Sequence, residues 1–143
     1  MQIQQLSIFV ENKSGRLAEI TEALANANVD IRALSIADTS DFGILRLIVD
    51  KPEQAVAILK EKHLTVLLTN VIAVGINDQP GEFAKAMRVL ANNNIGVEYM
   101  YAFISRAKGK AYVIIRAEQD EKALEALEAG CITILTAEEF YGM

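Results

Sequence analysis

The chain has 143 residues, 52% of them hydrophobic, and a formal net charge of −5. That acidic balance offers no long-range attraction to phosphate backbones or anionic membrane surfaces, which argues against nucleic-acid and membrane-surface roles. A single cysteine, Cys131, excludes an internal disulfide framework and any cysteine-rich metal site.

The opening Met1-Gln2-Ile3-Gln4-Gln5 has no basic region leading into an apolar run, as a secretory signal would. No apolar stretch approaches the roughly 18 residues of a membrane span. The expectation is a cytoplasmic chain, in which the formal glycosylation acceptor Asn12-Lys13-Ser14 has no use.

In chain order, Leu6, Ile8 and Val10 alternate with Ser7, as in a half-buried strand. Asn12-Lys13-Ser14-Gly15 breaks the pattern, and Leu17, Ile20, Leu24 and Ala27 then recur at helical spacing. Asn28 follows the last turn, where a left-handed residue often ends a helix. Residues 29–36 are β-branched and extended, and Asp38-Thr39-Ser40-Asp41 marks a turn. Leu45, Leu47 and Val49 predict a third strand. Pro52 suits the first turn of a second helix with Ala55, Val56 and Leu59 inward, and 64–68 reads as a fourth strand.

The chain then repeats itself. A shift of 66 places Gly15 on Gly81, Leu24-Ala25-Asn26 on Leu90-Ala91-Asn92, Asn28 on Asn94 and Gly43 on Gly109. Beyond a two-residue insertion near Ala117, a shift of 68 places Ala55 on Ala123 and Leu59 on Leu127. The second copy predicts strands at 71–76, 95–105, 110–117 and 132–136. Its helices fall near 81–93 and 120–129, with Gly130 as the helix stop and Cys131 a buried thiol in the last strand. The order βαββαβ, written twice, is an α+β ferredoxin-like plan with domains 1–69 and 70–143. The short joint at Thr69-Asn70 leaves no flexible linker, so the two sheets are expected to join side by side. Such small units, in a chain this apolar, also predict further self-association.

Little in the chain reads as catalytic. His63 lies at a helix end without a cysteine neighbour, and no nucleophile–base set, metal cluster or Walker-type loop is present. The acidic residues of 118–128 suit a solvated helix face. Chemistry concentrates instead in two strand-to-helix loops, 11–17 and 77–83. A glycine there lets a ligand approach the backbone, and a helix start directs unpaired N–H groups at a carboxylate. A nearby amide or acid can take an ammonium group, so either loop suits a zwitterion. Read alone, each also fits an ordinary turn and helix cap.

Asp78-Gln79-Pro80-Gly81-Glu82-Phe83 resembles the D/N-x-P-G-x-L/F signature of ACT domains. The run Glu11-Asn12-Lys13-Ser14-Gly15-Arg16-Leu17, with Val29-Asp30-Ile31 and Leu34-Ser35-Ile36, resembles the ACT domain of acetolactate synthase regulatory subunits. The resemblance covers the whole chain, once per repeat. It implies a non-catalytic module, without cofactor or metal, that binds a free amino acid between paired domains. Carried over, Asn12, Ser14 and Gly15, flanked by Lys13, Arg16 and Leu17, would face Gly96 and Val97. Asp78, Pro80, Gly81 and Phe83 would face Asp30 and Ile31. Ser14 departs from the usual proline and Gly96 lacks the side chain Asp30 supplies, so the two sites differ. Loop one, with Lys13, Ser14 and Arg16, is the better expected carboxylate site, and Tyr99 and Tyr101 are candidates for an apolar pocket wall.

Two other readings use the same plan. Lys108-Gly109-Lys110-Ala111-Tyr112-Val113 and Ile8-Phe9-Val10 echo the RNP1 and RNP2 patterns of RNA-recognition domains. Each copy offers only one sheet aromatic at such a position, and the chain is acidic, so this reading is set aside. The second is a regulatory subunit that docks on an amino-acid biosynthetic enzyme, with the amino acid as effector.

Overall fold

The computed structural model describes residues 2–11, 13–38, 41–103 and 108–143. The chain divides into two compact units, Gln4–Thr69 and Asn70–Met143, the latter including Gln2 and Ile3. Each is a mixed α+β, ferredoxin-like unit.

In the first unit, β1 (Ile3–Glu11), α1 (Arg16–Asn26), β2 (Ile31–Asp38), β3 (Phe42–Val49) and α2 (Pro52–Glu61) lead into β4 (Thr65–Asn77). The strand order is β2-β3-β1-β4, with antiparallel registers such as Ile8↔Leu45 and Leu34↔Leu47. Alternation along β1 and β3 turns Leu6, Ile8, Val10, Leu45, Leu47 and Val49 to one face, where Ile20 and Leu24 of α1 and Ala55 and Leu59 of α2 cover them. Each such Leu, Ile or Val side chain contributes about 1.5–3 kcal/mol on burial.

β4 is one thirteen-residue strand in place of the expected strand, joint and strand. Its later residues open the second unit, followed by α3 (Glu82–Asn92), β5 (Val97–Phe103), β6 (Lys110–Ala117), α4 (Asp120–Ala129), β7 (Thr133–Ile134) and α5 (Ala137–Tyr141). Here the order is β5-β6-β4-β7. Ile72, Val74, Val113 and Ile115 pack against Ala86, Leu90, Ala123 and Leu127. Each second strand carries a register shift at the same place, between Ile31 and Ala33 and between Val97 and Tyr99.

All four long helices end alike. Asn28, His63, Asn94 and Cys131 have φ of 56–63°, and the residue after each returns its N–H to a carbonyl five positions back, as Val29 does to Leu24 at 2.9 Å. This is the Schellman ending, with an apolar residue following the left-handed one. It corrects two expectations. The stop after α4 is Cys131 (φ 61), exposed at the helix end and not buried in a strand. Gly130 has an ordinary φ of −83 and serves packing instead, since a Cβ there would lie 2.7 Å from Cγ2 of Val89 on α3.

The end of the chain also departs from expectation. The strand predicted over 132–136 shrinks to β7, because Thr136 caps a further helix. Its hydroxyl accepts the Glu139 N–H at 3.1 Å while the Glu139 carboxylate accepts the Thr136 N–H at 2.9 Å, a complete capping box. Phe140 of α5 is buried against Phe103 (ring centroids 5.0 Å apart), and Phe103 stacks on Tyr112 at 5.5 Å. Tyr112, the aromatic that echoed an RNA-binding strand, is thus engaged within its own unit.

Gly130→Ala is expected to cost about 1–3 kcal/mol in urea unfolding, through overpacking against Val89. Val89→Ala in the same chain should restore part of that loss, giving a non-additive pair.

Candidate functional site

The two strand-to-helix loops share three backbone hydrogen bonds at equivalent positions. Lys13 N–H donates to Glu11 O (2.8 Å), Arg16 N–H to Lys13 O (3.2 Å) and Glu19 N–H to Gly15 O (3.0 Å). Sixty-six residues on, Gln79 donates to Asn77 O (2.9 Å), Glu82 to Gln79 O (3.3 Å) and Lys85 to Gly81 O (3.1 Å). The third position of each turn is a glycine in the left-handed region, Gly15 at φ 85, ψ −10 and Gly81 at φ 90, ψ −16. These are the torsions of a type II turn, which takes Pro at its second position and Gly at its third. Gln79-Pro80-Gly81-Glu82 follows that rule fully. Lys13-Ser14-Gly15-Arg16 makes the same turn with Ser14 in the proline position.

The chemical consequence lies in the N–H groups. Neither helix start has a side-chain cap. The N–H groups of Gly15, Leu17 and Ala18, and of Gly81, Phe83 and Ala84, therefore precede the first intrahelical bond and can serve an external acceptor. Loop one adds the N–H of Ser14, which Pro80 lacks. A Cβ built on Gly15 or Gly81 meets nothing within 4 Å, so the backbone is open to approach. Leu17 (43% exposed) and Phe83 (38%) present apolar side chains beside these groups.

The charges differ from the simplest sequence reading. Lys13, expected to attract a carboxylate, is paired with Glu11 at 2.9 Å, and Arg16 with Glu19 at 3.2 Å. The hydrogen bond from Lys13, then its charge, holds the Glu11 carboxyl below the usual carboxylate range. In loop two Glu82 pairs with Lys85 at 3.0 Å, while Asp78 has no ion pair among the described residues. Loop one is therefore locally neutral, while loop two carries Asp78 together with the Lys110 ammonium, which donates to Asn77 Oδ1 at 2.7 Å. Asn12 lies outside the described residues.

The starts of the second strands also differ. Asp30 is engaged within its own unit: its carboxylate binds Arg32 at 3.1 Å, and its N–H donates to Asp50 Oδ1 at 2.8 Å. Ile31 and Val97 are half-buried beside the register shifts. Gly96 lacks a side chain because Glu118 occupies the place, its carboxylate 2.6 Å from where a Cβ would stand. Sequence inspection missed this acid. Tyr99 and Tyr101, opposite Arg116 and Ile114, lie half-buried on the same face of β5 as Phe103. Among the described residues no group of three or more His, Cys, Asp or Glu could hold a metal ion, and no helix is long and apolar enough to cross a membrane.

Gly15→Ala and Gly81→Ala are each expected to cost about 1–2 kcal/mol, entirely from the left-handed torsion because space for the methyl exists. Asn at either position should cost less. Lys13→Ala should return Glu11 to the ordinary carboxylate range. Because the folded value is depressed, whatever stability the pair contributes is present above that range and lost as pH falls through the lowered value; an NMR titration of the Glu11 carboxyl reads this directly.

A family model described as an ACT domain pair matches residues 1–141. Comparison with curated proteins returned no match. Among solved structures, protein BT0572 from Bacteroides thetaiotaomicron is 41% identical, with a TM-score of 0.93 over 100% of this chain and 98% of that one. The ligand-free regulatory subunit of aspartate kinase from Thermus thermophilus shares the fold at 19% identity and TM-score 0.67, over 91% and 93% of the two chains. Its counterpart from Thermus flavus does so at 18% and 0.63, over 92% and 94%. With a paired βαββαβ fold, the Pro80-Gly81 turn and a family model spanning nearly every residue, the chain belongs to the ACT domain pair family.

Proposed function

We propose that this chain is a non-catalytic regulatory protein that binds a free amino acid between its two ACT domains. The observation that carries the reading is the pair of open, glycine-centred helix starts, which share three backbone hydrogen bonds at a 66-residue offset in a chain of this family. Asn12, Ser14 and Gly15 would act with Gly96 and Val97, and Asp78, Pro80 and Gly81 with Asp30 and Ile31. The ligand carboxylate would take the N–H groups at the helix start, and a neighbouring amide or acid the ammonium group.

Loop one is the better carboxylate site, for its donors and not for its cations. Its Lys13 and Arg16 are already paired, but it offers one N–H more than loop two and no unpaired acid. In loop two the Lys110 ammonium on Asn77 offsets only part of the repulsion between Asp78 and an approaching carboxylate.

A thermal-shift screen of the twenty amino acids is expected to yield at least one that raises the melting temperature, since a ligand of the folded state alone must stabilise it. Affinity should lie between micromolar and millimolar, roughly 4–8 kcal/mol. Silence across all twenty contradicts the reading.

Ser14→Pro separates fold from function. Pro80 shows that the turn takes proline, so the variant should gain about 0.4–1 kcal/mol in stability. It should also weaken the amino acid identified by the screen, because the Ser14 N–H is gone. Unchanged binding in a stabilised variant would move the site away from loop one.

A second role is supported by the kind of protein that shares this fold: two of the structural relatives are regulatory subunits of aspartate kinase. The chain would then dock on an amino-acid biosynthetic enzyme, with the amino acid biasing the two states of the complex, and could also self-associate. Pull-down from native lysate with and without the identified amino acid tests this, and recovery of no enzyme under either condition contradicts it.

A further inference from the structure

The second unit contains a cavity of about 290 Å3 that takes no part in the strand-to-helix loops. Its origin is the short β7. That strand pairs with β4 only at Val74↔Ile134 and Gly75↔Thr133, and Leu135 adds one bond to the Ala73 carbonyl (2.9 Å) before Thr136 turns the chain into α5. A longer strand would have continued beside the earlier part of β4. The notch left there has Ile3, Val71, Ala73, Leu124, Ile134 and Leu135 for walls.

Its charged groups are of one sign, beside the neutral Gln2 and Thr136. Glu128 and Glu138 contribute to the lining, no lysine or arginine does, and neither carboxylate has an ion pair among the described residues. The Thr136 hydroxyl is already engaged as the cap of α5. We propose that this cavity binds a small molecule with an apolar body and one ammonium group, and without a carboxylate: an aliphatic primary amine. The walls reward loss of apolar surface from water, and the two acids attract the cation. A free amino acid would bring its own carboxylate toward two uncompensated acids, so this site selects against the ligand class assigned to the loops. A water molecule takes about 30 Å3 of liquid, so the cavity admits a molecule of about six to ten heavy atoms.

The test is an amide chemical-shift titration of the full chain with 3-methylbutylamine, run beside 3-methylbutanol and leucine. The amine is expected to shift the Ala73, Leu124 and Leu135 amides saturably, with a dissociation constant of about 1–10 mM. The alcohol and leucine should be weaker there. Glu128→Gln with Glu138→Gln should weaken the amine about fivefold and leave the alcohol unchanged. Both glutamates are exposed, so this variant keeps the fold. Absence of saturable shifts by about 100 mM, alcohol or leucine binding as tightly as the amine, or an unaltered amine affinity in the double variant overturns the proposal.

Discussion

The strand-to-helix junction of each unit turns on one backbone torsion. After β1 and again after β4, the chain must reverse from extended to helical within four residues, and it does so through a glycine at φ 85 or 90. An L-residue with a side chain pays about 1–2 kcal/mol to adopt that torsion, and glycine does not. Because the turn closes through Arg16 and Glu82, the helix begins without a capping side chain, and its first free N–H groups point outward. The position of the helix on the sheet, and the chemistry its N-terminus offers, follow from the same residue. It is one reason the offset of 66 residues reproduces hydrogen bonds as well as letters.

Much of the fold is legible in the order of the residues alone. Alternation along Leu6-Ile8-Val10 and Leu45-Leu47-Val49, and helical spacing at Ile20 and Leu24, correspond to the buried sets of the first unit, and their copies to those of the second. These signals are strong because a period of two or of 3.6 decides which side chains leave water. Asn28 and Asn94 mark helix ends because asparagine tolerates the left-handed region. Cys131 does not, since nothing in its chemistry announces that conformation, and the adjacent Gly130 draws the assignment to itself. Helix α5 is five residues long, too short for any periodicity to show; only the Thr136–Glu139 spacing of a capping box signals it.

The candidate site is legible in outline and not in its electrostatics. Type II turn chemistry can be read from Pro80-Gly81, and transferred by repeat to Ser14-Gly15. Which charges remain free cannot, because that depends on side chains meeting across a turn of helix or a strand. Lys13 on Glu11 and Arg16 on Glu19 cancel the positive charge that composition placed in loop one. Glu118, from the end of β6, fills the space at Gly96, a contact set by strand register and invisible to local sequence. The two copies thus share a backbone device and differ in the side chains around it, which makes two unequal sites the physical expectation.

The most direct measurement on the central reading is residue-resolved: amide spectra of the intact chain recorded with each amino acid in turn. The account predicts that a binding amino acid shifts the amides of Gly15, Leu17 and Ala18 first and most, because a carboxylate hydrogen-bonded to a helix start acts on those protons directly. Saturable binding that leaves both glycine turns unperturbed would contradict it.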